Sequence, residues 1–226
     1  MQTSVKETLH EIWTKAGPVD VGSTANDIDL RRIEERHQME IGEPGAMGLF
    51  GFAVGTLVIG FVLSGITPTT TMPAALPSVL VFAGIGQFIA GIIAFVKGNT
   101  FAGTAFCSYG ANNALVAAFI LGQKVGLIGA APGDSHLLGL GLLCFGYISL
   151  ILAIAAMRLN VTFVAILLAL VPGYVLAAIP DLGGAPSIGN IGGYFLILAA
   201  ALAFYGGSAL VINSTHERNV LNMGKM

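Results

Sequence analysis

Residues 76–96 read LPSVLVFAGIGQFIAGIIAFV, 21 consecutive positions without an Asp, Glu, Lys, Arg or His. The hydrocarbon core of a bilayer is about 30 Å thick and an α-helix rises about 1.5 Å per residue, so roughly 20 apolar residues cross it. Hydrocarbon offers no water to backbone N–H and C=O groups, and a helix satisfies all of them within one segment. The stretch predicts a transmembrane helix.

Five further runs, at 47–66, 101–122, 136–157, 161–179 and 189–212, are of similar length, 19 to 24 residues, and have no interior acid, lysine or arginine. The predicted fold is an all-α integral membrane protein with six transmembrane helices per protomer, localised as a multi-pass protein of the plasma membrane. The connections are a Thr- and Pro-rich loop at 67–75, short turns at 97–100 and 158–160, a Gly-rich loop at 123–135 and a loop at 180–188. Composition agrees: 55% of the 226 residues are hydrophobic and 10% charged, against about a quarter charged in soluble domains.

Charge gathers at the front. Residues 1–43 hold five of the ten Lys and Arg and nine of the twelve Asp and Glu, and from 44 to 216 only Lys97, Lys124, Asp134, Arg158 and Asp181 remain. Positive loops resist translocation. With both termini cytoplasmic, that side carries nine basic residues and the opposite side only Lys124, so both termini are predicted to be cytoplasmic. Residues 1–43 then form an acidic cytoplasmic tail, 44–215 the transport domain and 216–226 a short cytoplasmic tail. Val5, Leu9, Ile12 and Trp13 recur at helical spacing opposite Lys6, Glu7, Glu11 and Lys15, which predicts an amphipathic helix in the first tail. The tail lacks the basic, apolar and small-residue order of a cleavable signal. Asn160 and Asn213 fit the glycosylation pattern but fall on the cytoplasmic side, where they stay unmodified.

Cys107 and Cys144 lie in apolar runs and form neither a disulfide framework nor a metal spacing. The 31 glycines suit close helix approach, with Gly51 to Gly55 and Gly139 to Gly141 as examples. No catalytic signature, phosphate loop or cofactor motif is present, and the acidic tail offers nothing to nucleic acid; the chain does not read as an enzyme.

Transporters that move protons or ions usually bury acids or bases in their spans. Here His136, at the start of the fourth span, is the one side chain there that titrates near neutrality, and it reads as an interfacial residue. Passage must therefore use hydroxyls, amides and backbone dipoles. Thr56, Gln87, Thr104, Ser108, Tyr109, Asn112, Asn113, Ser149 and Asn190 supply them. Thr104, Ser108, Tyr109, Asn112 and Asn113 follow one another at steps of one to four residues, which predicts a shared polar face lining a cavity or a subunit interface.

One stretch narrows the reading further. Residues 97–110 read K-G-N-T-F-A-G-T-A-F-C-S-Y-G, preceded at 84–91 by G-I-G-Q-F-I-A-G. This resembles the acetate uptake transporter family, also called the succinate-acetate permease family. The family's hallmark at the start of its first helix is N-P-A-P-L-G-L; here Glu43-Pro44-Gly45-Ala46-Met47-Gly48-Leu49 keeps only Pro44, Gly48 and Leu49. Glu43 at this entrance exchanges an amide for a carboxylate.

The resemblance implies a homo-hexamer of six-helix protomers, each with its own path for acetate or succinate, channel-like or linked to protons. It also implies a constriction made by Phe52, Tyr109 and Leu170. A ring of that kind gates by dewetting, while the Tyr109 hydroxyl offers the carboxylate one hydrogen bond. The competing reading is a channel for a small neutral solute such as ammonia or water.

Overall fold

The structure, a computed structural model, describes residues 42–128 and 134–225. The amphipathic segment predicted before residue 42 lies outside the described residues. Among the described residues, six helices long and apolar enough to cross a membrane follow one another: α1 (Gly45–Leu63), α2 (Thr69–Val96), α3 (Thr100–Lys124), α4 (Asp134–Ala156), α5 (Val161–Asp181) and α6 (Pro186–Thr215).

Local chemistry sets the ends. Gly98, at φ 76°, turns the chain between α2 and α3, a left-handed conformation natural to glycine. The Asn99 carboxamide oxygen then accepts from the Ala102 N–H at 3.0 Å, and Asn160 does the same for the Phe163 N–H at 2.9 Å at the head of α5. Each occupies one of the N–H groups that a helix start leaves unpaired. Asn160, which fits a glycosylation site on paper, is thus a helix cap.

The start of α2 departs from the sequence reading. Residues 69–75, expected as loop, are already wound: a 3-10 turn at Thr69–Thr71, α-helix over Met72–Pro77, a π-helical stretch at Ser78–Gly86 and α-helix again over Gln87–Val96. Pro73 sits at the second helical position, where no N–H is needed. Pro77 stands inside the helix without an N–H to donate and with its ring crowding the preceding turn, and the wider π wind follows it directly.

Around the bundle the helices pack in chain order, α1 on α2, α2 on α3, α4 on α5, α5 on α6 and α6 back on α1, with α3 and α4 touching least. Interior positions are largely small: Ala53, Ala83, Ala153, Ala178, Ala199 and Ala203 are fully or almost fully buried. On the α2–α3 seam a Cβ at Gly91 would stand 2.6 Å from the Cys107 backbone nitrogen, and one at Gly110 would stand 2.7 Å from that of Phe88. Only glycine allows the two backbones to come so near. Gly51, Gly55 and Gly139 likewise face neighbours at 3.0 Å or less, whereas Gly141, expected to do the same, meets nothing within 4 Å. Outward, Val81, Ile85, Ile92, Leu115, Ile154 and Leu168 are exposed, as a lipid-facing surface requires.

Residues 216–225 fold back as a strap over the start of α5. The Thr162 and Val161 N–H groups donate to the carbonyls of Met223 at 3.0 Å and Gly224 at 3.1 Å, and the Thr162 hydroxyl donates to Met223 as well, at 2.9 Å. Asn213 holds the strap's bend: its oxygen accepts from the Val220 and Leu221 N–H groups, each at 2.8 Å. The second apparent glycosylation site is also structural.

Candidate functional site

α1, α3 and α5 all start on the side of the membrane that holds residues 43 and 216. Between them lies a cavity of about 290 Å³. Glu43, Asn99, Leu159 and Asn160, all at helix starts or in turns, form its mouth; Leu49, Phe101, Phe106, Phe163, Ile166 and Leu210 form its walls. Phe52, Tyr109, Leu170 and Gln87 line its inner end.

The three residues expected to constrict the path come together. Phe52 is 3% exposed, Tyr109 3% and Leu170 0%, all in one buried cluster. The Phe52 and Tyr109 rings lie 5.4 Å apart and inclined at 54°. Phe52 follows the start of α1 by seven residues, and Tyr109 and Leu170 follow the starts of α3 and α5 by nine each. At about 1.5 Å per residue they stand roughly 10–14 Å deep, near the middle of a bilayer core.

Beyond them, further along the same helices, is a second chamber of about 40 Å³, lined by Thr56, Ile59 and Leu63 of α1, Asn112, Asn113 and Val116 of α3, Tyr174 and Ala177 of α5, with Leu142 and Leu196. The Asn112 amide donates to the Tyr174 hydroxyl at 3.5 Å and the Asn113 amide to Gln87 Oε1 at 3.3 Å. Tyr174 stacks on Tyr109, with centroids 6.3 Å apart and planes 12° apart.

Hydrogen-bond arithmetic changes the role of Tyr109. Ser149 donates its one hydroxyl proton to the Phe145 carbonyl at 2.7 Å, and its Oγ lies 2.9 Å from the Tyr109 hydroxyl. Each hydroxyl owns a single proton, so Tyr109 must donate to Ser149. In this structure the hydroxyl that the sequence reading offered to a carboxylate is turned to Ser149, and the Tyr109 ring lines the inner end of the vestibule.

The polar set on α3 divides between two settings. At 100° per residue, Thr104 to Asn113 spread over about half the helix circumference. Tyr109, Asn112 and Asn113 are buried toward the bundle axis, while Thr104 and Ser108 are half-buried and line neither chamber. The entrance residues are local in effect. Glu43 accepts from the Gly45 N–H at 3.1 Å and lies 3.7 Å from the Lys97 ammonium. Pro44 accepts the Gly48 N–H at 3.0 Å. Gly48 makes room for an aromatic wall, because a Cβ there would meet the Phe106 ring at 2.5 Å. Leu49 is itself part of the wall.

Tyr174 and the phenylalanine walls were not singled out from the sequence. Tyr174 stands four residues after Leu170, hence on the same helical face, and that spacing was the available signal. Taken together, the site is a largely apolar vestibule that leads to a buried three-residue block and a small chamber where Thr56, Asn112, Asn113 and Tyr174 interrupt an aliphatic wall, a form suited to passing a small amphiphilic solute.

Comparison with known proteins places this geometry. A model of the GPR1/FUN34/yaaH family matches residues 27–226. The "Succinate-acetate/proton symporter SatP" of Escherichia coli is 28% identical over 192 residues, which cover 82% of this chain and 97% of the relative. "Ammonia transport outward protein 2" of Saccharomyces cerevisiae is 27% identical over 179 residues, covering 75% of this chain and 61% of the relative. A solved structure, "Structure of the bacterial acetate channel SatP", superposes with a TM-score of 0.76 at 28% identity, covering 82% of this chain and all of that one.

Proposed function

We infer that this chain, which belongs to the GPR1/FUN34/yaaH family, is a multi-pass protein of the cell membrane that carries acetate, with succinate as a second substrate. The observation that carries the reading is the apolar vestibule ending at Phe52, Tyr109 and Leu170 in mid-membrane, in a chain that matches acetate and succinate transport proteins over most of its length. The walls accept a methyl group, and the amides at and beyond the block replace part of the water that the carboxylate loses.

Among the residues lining the two chambers the sole carboxylate is Glu43, at the mouth. Neither chamber is lined by a second acid or by a histidine. Passage is therefore channel-like, and a proton that accompanies acetate travels on the acid itself. Phe52, Tyr109 and Leu170 form the gate; Gln87, Asn112 and Asn113 form its polar lining. The distribution of basic residues puts both termini, and with them the vestibule, on the cytoplasmic side. We assign the chain to hexamers with one path per protomer; the apolar groove between α2 and α3, lined by Leu80, Ile85, Phe88 and Ala114, is a surface such assembly would cover.

Ammonia conduction is the competing reading, supported by the name of the yeast relative. Uptake of labelled acetate into liposomes holding the purified protein decides between them. The expected result is saturable uptake without an imposed proton gradient, competed by propionate and succinate. Ammonia flux without acetate uptake would overturn the proposal.

A further inference from the structure

We propose that Gln87 is the group that recognises the carboxylate at the inner end of the vestibule, an assignment that rests on the acetate reading above. Gln87 is 0% exposed and lines the vestibule beside Phe52, Tyr109 and Leu170. Its Oε1 is turned to Asn113, which donates to it at 3.3 Å. Its Nε2 is the one buried side-chain nitrogen or oxygen without a partner among the described residues. A carboxamide NH₂ buried without an acceptor is unfavourable and rare in folded proteins, and a carboxylate oxygen of a passing solute would satisfy it.

No neighbouring group competes for the role. Tyr109 gives its proton to Ser149. Asn99 and Asn160 stand at the mouth and cap α3 and α5. Backbone N–H groups along the wall are spent inside their helices. The inner end of the vestibule thus holds one deep donor, neutral and positioned by Asn113, which a solute reaches when the block of Phe52, Tyr109 and Leu170 shifts. A neutral donor also suits conduction, since it binds the anion without the depth of an ion pair and so releases it.

Kinetics of labelled acetate uptake in proteoliposomes, measured for wild type, Gln87→Leu and Gln87→Glu, test the assignment. Removal of one hydrogen bond to a charged group should raise the half-saturating acetate concentration of Gln87→Leu about tenfold or more, with a maximal rate near wild type. Gln87→Glu keeps the shape and the acceptor for Asn113 but turns an anionic oxygen to the substrate, so the closer isostere should be the more impaired. A purely structural role predicts the reverse order. An unchanged half-saturation in Gln87→Glu, or a loss confined to maximal rate in both variants, would overturn the assignment alone. A wild type that takes up no acetate would instead overturn the transport reading, and the assignment with it.

Discussion

The vestibule and the chamber beyond it are built by the same three helices, a few residues apart, and differ far more in size than in chemistry. The first is about 290 Å³ and open at a mouth, the second about 40 Å³; both have mainly aliphatic and aromatic walls, with Glu43, Gln87, Asn99 and Asn160 as polar groups in the first and Thr56, Asn112, Asn113 and Tyr174 in the second. A water needs roughly 10–15 Å³ of such space, so the inner chamber has room for a few waters and none for a passing carboxylate plus its hydration. The asymmetry describes a path open to one side and shut in the middle. Phe52, Tyr109 and Leu170 must shift for a solute to cross, and Thr56, Asn112, Asn113 and Tyr174 are then the side chains placed to hydrogen-bond an anion that has shed its water.

Merging the two chambers is the strongest way to break that contrast. Leu170→Ala removes a wholly buried side chain from the partition. The ratio of propionate to acetate flux should rise by about tenfold, and the protein should lose about 2–5 kcal/mol of stability, as large-to-alanine changes in packed interiors do. Flux assays with a series of acids and thermal unfolding read the two effects. An unchanged size preference would remove Leu170 from the gate.

Tyr109→Phe sharpens the comparison, because it keeps the aromatic partition and deletes only the bond to Ser149. Acetate flux should stay within about twofold, while stability falls by roughly 0.5–1.5 kcal/mol. A tenfold loss of flux would mean that the hydroxyl faces the substrate after all.

The smallest effect belongs to the mouth. Glu43 is 52% exposed and Lys97 32%, and exposed ion pairs contribute little. Glu43→Gln should lower the half-saturating acetate concentration by less than about twofold, through weaker repulsion of the anion. The difference should vanish at high salt, where the Debye length is only about 3 Å.

How far the sequence could lead depended on whether the relevant contact was local. The six spans were legible as gaps between charges, since Lys97, Lys124, Arg158 and Asp181 all sit at span ends or in turns. The start of α2 was not, because prolines that read as breakers are tolerated in a first helical turn and before a π wind. Phe52, Tyr109 and Leu170 came from resemblance, and the structure brings them together. The commitment of the Tyr109 proton was hidden, as it depends on a serine 40 residues away. The orphaned nitrogen of Gln87 was hidden for the same reason: which end of an amide is paired is decided by the helix opposite, here at Asn113.

The strap over α5 sets an order of events during synthesis. Thr162 is paired by a carbonyl 61 positions downstream, and the Val161 N–H by the next one, at Gly224. When α5 first enters the bilayer from the ribosome its opening turn has only Asn160 to close it. The remaining N–H groups stay in contact with water or headgroups until α6 has been inserted and Met223 has been translated. The helix that carries Leu170 and Tyr174 is thus the last to be fastened, and a bulky fusion placed directly after the strap would act on biogenesis of the path rather than on the solute moving through it.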